Sequence, residues 1–358
     1  MAGLAPEIVL LFATINYESD FPALLDGLEE GLGKPGALVF GCTGDSVFEA
    51  GQIFNVGVTG LGLTAQGALN WSVRVEPEAR DGRKAATACA QRVMEDLGGA
   101  PDLAFVLADG LRSDGGAIAE ALNQTLACPF LGGLAADDRR FKRTFVFAEG
   151  RAWPEAVAVL AARGPVRSAI HSASGIRPLE GVGVVDRCEG GEVVRIDGGT
   201  AQDFLRARLG KVASEVDLGN LPLAVQVPGN HFVLRAPWKV DVQTGALRVF
   251  GGLAPGTEVR ACHVSPEMAS EGVHQCLERI ERIDFQPVFA LAVSCAGRRW
   301  LFGDRYDEAV RELGRGTAGV PSVGFLSFGE IGPFLESTTR VGPAWFHNLT
   351  LVLGVFGA

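Results

Sequence analysis

Short apolar runs, each about the length of a strand and each closed by glycine or a polar turn, recur from one end of this 358-residue chain to the other. Runs of that length are too short for independent helices and demand sheets with covered faces. Strands are expected at Glu7–Thr14, Ala37–Cys42, Leu103–Leu107, Phe130–Leu134, Thr144–Phe147 and Ala156–Leu160. The runs 55–64 and 68–75 flank a short Ala-Gln-Gly stretch and read as a hairpin. Between the runs, Phe21–Leu32 places Leu24, Leu25, Leu28 and Leu32 at helical spacing. Arg83–Leu97, closed by Gly98-Gly99, and Ala117–Leu126 are further helices.

The pattern restarts near residue 195. A strand Glu192–Ile196 turns through Asp197-Gly198-Gly199 into a helix Ala201–Leu209, which Gly210 stops. Strands follow at Leu223–Val227, Phe232–Leu234, Lys239–Val242, Leu247–Phe250 and Glu258–His263. The helix Pro266–Ile283, the strand Val288–Ser294, the helix Asp307–Leu313 and a closing strand Leu349–Val355 complete the chain. The expected class is α+β, in two lobes of mixed, largely antiparallel sheets with packed helices, 1–195 and 196–358.

Composition removes several functions. A net charge of −10 argues against nucleic acid and anionic membrane as partners. The seven cysteines are scattered without a CxxC pair and the five histidines are dispersed, so neither a zinc site nor another metal or cofactor is expected. Unpaired thiols without an export signal fit a reducing cytoplasm, where most are small core hydrophobes. The apolar run at the N-terminus has no basic residues before it, and the run 349–356 is too short to span a bilayer, so no membrane insertion is expected. Arginine in preference to lysine fits a GC-rich bacterial source.

The chemistry gathers in the last quarter. Ser294-Cys295-Ala296-Gly297-Arg298 follows one apolar run, GFLSFGEIGP occupies 324–333, and His347-Asn348 precedes the last strand. Strand ends and their loops are where a rigid scaffold presents reactive groups. A guanidinium three residues from Cys295 favours its thiolate, and His347 with Glu330 as orienter would make it a nucleophile. Alternatively Arg298 grips a ligand carboxylate and Glu330 an amine, while Cys295, His347 and Asn348 shape the pocket. A third reading pairs Arg298 with Glu330 and leaves Cys295 as a strand end. Upstream, Asp137 in GGLAADD either lines a pocket or terminates a strand in a polar turn. Gly41-Cys42-Thr43-Gly44 reads as a tight turn, and Arg139, Arg140, Lys142 and Arg143 as a solvated one.

The ordered set GGLAADD (132–138), VVRIDGGTA (193–201), FVLRAP (232–237), VDVQTGAL (240–247), SCAGR (294–298), GFLSFGEIGP (324–333) and FHNLT (346–350) resembles the FIST family. The resemblance covers nearly the whole chain and rests on order and spacing. It implies tandem N- and C-terminal sensory domains that bind small ligands such as amino acids, with no catalytic residues to carry over. Relatives commonly begin with one more helix and strand than this chain shows before PEIVLLFAT, so either an abbreviated first domain or a misassigned start is expected. Because both lobes consume the sequence, the expected protein is a stand-alone cytoplasmic sensor whose signal passes to a separate signalling protein. The alternatives are an enzyme using Cys295 and an interaction scaffold without a small ligand.

Overall fold

In the computed structural model, residues 5–32, 36–189, 192–210, 220–335 and 341–357 are described. Their fold is α+β, and most strand pairs are antiparallel. The parallel exceptions are Ile8–Thr14 with Leu38–Gly44, Leu103–Ala108 with Phe130–Leu134, and Phe289–Cys295 with Ser322–Ser327. Helices fill each of these crossovers, because parallel neighbours cannot be joined by a hairpin. Their ends follow local chemistry. Asp81 caps the helix Gly82–Leu97 by accepting the Lys84 N–H at 3.2 Å, and Gly98 closes it at φ 65°. Thr200 and Asp203 form a capping box on Ala201–Leu209, which ends at Gly210 as its sequence predicts.

Three sheets share one interior. The first orders Arg151–Pro154, Phe145–Ala148, Leu38–Gly44, Ile8–Thr14 and Val58–Leu63. The second orders Val341–His347, Gly329–Leu335, Phe130–Leu134, Leu103–Ala108, Val157–Arg163 and Asn70–Glu76. The third orders Arg167–Ala173, Leu351–Gly357, Phe289–Cys295, Ser322–Ser327, Val47–Glu49 and Gln52–Phe54. Strand alternation sorts their side chains. Leu103, Phe105 and Leu107 face the interior with Phe289, Leu291 and Val293, while Ala104, Val106, Ala108, Ala290 and Ala292 face the helices. Small residues on the outer side let helices such as Gly82–Leu97 and Met268–Ile280 lie close. Inside, Phe12 stacks on Phe325 at 4.8 Å and Phe105 meets Phe356 at 5.3 Å, tying the third sheet to the other two. Each such ring contributes about 2–3 kcal/mol on burial.

The described strands between residues 177 and 263 build a fourth, nine-stranded sheet with its own small core around Val185, Ile196, Phe204, Leu247 and Val259. The remaining strands do not respect a division at residue 195. Leu351–Gly357 pairs with Arg167–Ala173, Gly329–Leu335 with Phe130–Leu134, and Ser322–Ser327 with Val47–Glu49. Shared sheets therefore join strands from both sides of residue 195.

The expected hairpin is also absent. Val58–Leu63 pairs with Ile8–Thr14, whereas Asn70–Glu76 pairs with Val157–Arg163 in another sheet. The Glu7 carboxylate explains the redirection: it accepts the Ala65 N–H at 2.9 Å and the Gly67 N–H at 2.8 Å. Gln66 and Gly67 both take positive φ there, so the chain turns out of the first sheet instead of doubling back. Among the elements that the sequence reading does not contain are the strands Arg167–Ala173, Gly183–Glu189 and Val341–His347 and the helix Ala296–Phe302, which carries Arg298. No helix among the described residues is long and apolar enough to cross a membrane.

Candidate functional site

The strand Phe289–Cys295 stops where the Cys295 N–H donates to the Thr350 carbonyl at 3.0 Å, and the helix Ala296–Phe302 starts at once. Gly297 sits in the first turn of that helix, where a Cβ would press on the Leu349 side chain, 2.9 Å from its Cδ2. Beside this corner lies a cavity of about 400 Å³. Cys295, Gly297, Ser327 and Asn348 form its polar floor. Trp300, Phe328 and Phe141 wall one side, and Trp238 and Phe250 of the nine-stranded sheet wall the other. Phe141 stacks on Phe328 at 5.2 Å, and Trp238 lies 5.9 Å from Phe250. The Arg139 guanidinium sits 4.6 Å over the Trp300 ring at the rim and makes no ion pair among the described residues.

The expected constellation is only partly brought together here. Cys295 and Asn348 line the cavity. Asn348 is held by both ends of its amide: Oδ1 accepts the Ala236 N–H at 3.1 Å and Nδ2 donates to the His347 carbonyl at 3.0 Å. Glu330 stands one layer behind the floor, fully buried, with Ser327 in between. His347 points elsewhere: its Nε2 faces the Gly332 carbonyl at 2.8 Å and its ring lines a different cavity. A Cys295–His347 couple is therefore excluded, because no proton passes between groups on opposite sides of the segment that separates them.

Arg298 corrects the reading of a carboxylate clamp. Its guanidinium is buried and donates to the carbonyls of Ser174 at 2.7 Å, Ala269 at 2.9 Å and Leu349 at 3.2 Å. Nor does it form an ion pair with Glu330. With those donors spent on backbone and no place on the cavity wall, it joins three segments rather than receiving a ligand. Asp137 is likewise structural. Its carboxylate accepts the N–H groups of Phe141, Lys142 and Arg143 at 2.9, 2.6 and 3.1 Å. That grip shapes the 138–143 loop, which was read as a solvated turn and in fact delivers Arg139 and Phe141 to the cavity.

Electrostatics at the floor follow from burial. Desolvation raises the Cys295 thiol well above its ordinary value, and the neighbouring Glu330 raises it further. The thiolate needed by a nucleophile is therefore disfavoured, against the expectation drawn from Arg298. Burial pushes the Glu330 carboxyl up to about 8, opposed by hydrogen bonds from Ser327 and Thr350. Proton counting agrees. Ser327 Oγ lies 2.5 Å from Glu330 Oε1 and 3.3 Å from the Ser294 carbonyl, yet a hydroxyl has one proton for two acceptors. A protonated Glu330 resolves the count by donating to Ser327, which then donates to Ser294. Behind Trp300, the Asp45 carboxyl is pushed up to about 6 by burial, against the Trp300 indole N–H that it accepts at 3.3 Å.

A pH dependence follows. Below the unfolded chain's 4.5 both states hold the Glu330 proton, whereas between 4.5 and about 8 only the folded state does. The neutral carboxyl's contribution is thus complete below 4.5 and is lost as pH rises through about 8, with a slope of at most about 1.4 kcal/mol per pH unit. Urea unfolding at pH 5 and pH 8 is expected to show this decline in the natural protein and a flatter profile in Glu330→Gln. Equal slopes in the two proteins would contradict a buried neutral Glu330.

Sequence reasoning missed Trp238, Phe250, Trp300 and Phe328. Their only signal was aromatic residues beside strand ends, and nothing in the order of the chain brings 238 next to 328. Among the described residues no group of three or more His, Cys, Asp or Glu is placed to hold a metal ion, and all seven cysteines are free.

The FIST N domain family model matches residues 7–199 and the FIST C domain model matches 201–333. The chain belongs to the FIST family. FIST domains are sensory domains of signal transduction. No curated protein matches the sequence. Among solved structures, a chain in a structure of PurLQS from Thermotoga maritima aligns over 81% of this chain and 72% of its own, at 10% identity and a TM-score of 0.24. A likeness that low carries no argument about this FIST protein.

Proposed function

We propose that this FIST protein senses a small carboxylate-bearing metabolite of amino-acid size, held between the two aromatic walls, and passes the signal to a separate protein. The observation that supports this most is the cavity itself: about 400 Å³, walled by aromatic rings from two parts of the fold, with a polar floor and, at the rim, the Arg139 guanidinium, which makes no ion pair among the described residues and feels the Asp45 carboxyl at longer range. Apolar walls with a few directed polar groups are what small-ligand sites require. In this reading Arg139 meets the carboxylate, the ligand's body packs between Trp300 and Trp238, and its donors reach Ser327. With Glu330 neutral, the Ser327 proton is committed to Ser294, so the hydroxyl offers the cavity a lone pair. Nucleophilic chemistry at Cys295 has less support, because the thiol is buried and held protonated.

Calorimetry with the standard amino acids and their corresponding oxo acids tests the proposal. A binder is expected to lose affinity by about ten- to a hundredfold in Arg139→Ala, the equivalent of one charge-assisted hydrogen bond of about 1.5–3 kcal/mol. Trp300→Ala is expected to weaken it similarly. A binder indifferent to both substitutions would place the ligand outside this cavity.

A further inference from the structure

A second cavity, of about 370 Å³, opens on the other face of the segment His347–Thr350. Residues of that segment divide between the two spaces: Asn348 and Leu349 line the aromatic one, His347 and Thr350 the other. Leu349 holds φ at 54°, a region that a branched side chain rarely occupies. Whereas the first cavity is walled by aromatic carbon, the second is lined mostly by polar side chains, including three of the chain's five histidines, His171, His231 and His347. They surround one ring, Phe334: His231 stacks on it at 4.2 Å, and His347 and His171 meet it edgewise at 5.2 and 6.3 Å.

Backbone contacts fix the tautomers of the two buried rings. His171 Nδ1 accepts the Leu335 N–H at 3.1 Å, so in the neutral ring the proton sits on Nε2, which has no described acceptor. His347 Nε2 faces the Gly332 carbonyl at 2.8 Å and must donate, leaving Nδ1 as an acceptor. Burial holds both rings neutral, at about 3 for His171, which also feels Arg279, and about 4 for His347. Arg279, from the helix Met268–Ile280, lines the same cavity and makes no ion pair or side-chain hydrogen bond among the described residues. Glu278 lies exposed on the rim and cancels Arg279 in formal charge, so selection here rests on directed donors rather than on net potential.

We propose that this cavity is a second ligand site, which takes a small oxyanion, a carboxylate or a phosphate, against Arg279 and the Nε2–H of His171. The guanidinium supplies paired donors for two oxygens and the imidazole supplies a third from a fixed direction. His347 Nδ1 accepts a hydroxyl or a protonated oxygen of the same ligand. The site differs in chemistry from the aromatic cavity and does not depend on what that cavity binds.

Titration calorimetry of the full chain with citrate and with inorganic phosphate tests this, one probe for each source of the oxyanion. Saturable binding of at least one probe at one site per chain is expected. It should weaken at least tenfold in Arg279→Gln, a partly exposed position whose loss leaves the core intact, and persist in Trp300→Ala. Nitrogen-15 spectra should show the His171 Nε2 signal moving as the probe saturates. Absence of saturable binding by both probes overturns the proposal. So does binding that is unchanged in Arg279→Gln, or binding abolished by Trp300→Ala, which would assign the oxyanion to the first cavity.

Discussion

Arg298→Ala is expected to cost about 3–5 kcal/mol of stability, measured as a fall in the urea midpoint at constant slope. The carbonyls of Ser174, Ala269 and Leu349 would lose the guanidinium at once, and a buried carbonyl left without any donor costs about 1–3 kcal/mol. The vacated side-chain volume adds a cavity term, although some relaxation offsets it. Arg298→Lys should recover only part of the loss, because an ammonium cannot reach three carbonyls in the geometry a planar fork serves. The Arg298 guanidinium also rests 5.5 Å from the Phe302 ring, a contact that lysine would keep weakly. A loss below about 1 kcal/mol with a marked drop in ligand affinity would instead return Arg298 to the ligand.

Asp137→Ala carries the second-largest expectation, a loss of about 2–4 kcal/mol together with disorder of the 138–143 loop. Asp138, Arg139 and Phe141 all hold positive φ, at 54°, 57° and 49°, which costs on the order of 1–2 kcal/mol for each such residue. The fully buried carboxylate that gathers three successive N–H groups sustains that geometry. Without it, Arg139 should leave Trp300 and the cavity should lose one wall. Trypsin reads this directly, since Arg139, Arg140, Lys142 and Arg143 all lie in the loop. Cleavage there is expected to accelerate at least tenfold in Asp137→Ala and less in Asp137→Asn, which keeps an acceptor oxygen. A loop as resistant as that of the natural protein would mean the strained conformation is held by Phe141 packing on Phe328.

The two predictions concern residues whose type was legible and whose role was not. Arginine near a thiol and acid at a strand end are visible in the order of residues. What a guanidinium actually meets depends on chain segments 29, 51 and 124 positions away, those of Ala269, Leu349 and Ser174. Glu330 shows the same limit from the other side. Its place in GFLSFGEIGP is plain in the order of residues, but its burial and the contacts with Ser327 and Ser294 that favour a neutral acid are not.

The elements themselves were read well wherever local rules governed. Phe21–Leu32, Ala201–Leu209, Leu223–Val227 and Glu258–His263 have the expected bounds, because periodicity, caps and glycine stops act within a few residues. Local reading failed at 55–75, where the distant Glu7 carboxylate redirects a turn, and at Val341–His347, whose run is broken by Gly342 and Pro343 and which becomes a strand by pairing with Gly329–Leu335. The ordered motifs by themselves carried the family, since order and spacing survive without coordinates.

By itself, then, the sequence determined an α+β protein of FIST type, with apolar runs that must be sheets and with its polar chemistry near their ends. Tertiary structure alone decided that Cys295 and Asn348 face one cavity while His347 faces another, and that Arg298 and Asp137 hold backbone. The reason is physical. Alternation and capping are set by neighbours in the chain, whereas burial, proton state and the partner of a charged group are set by whichever strands close the sheet beside it.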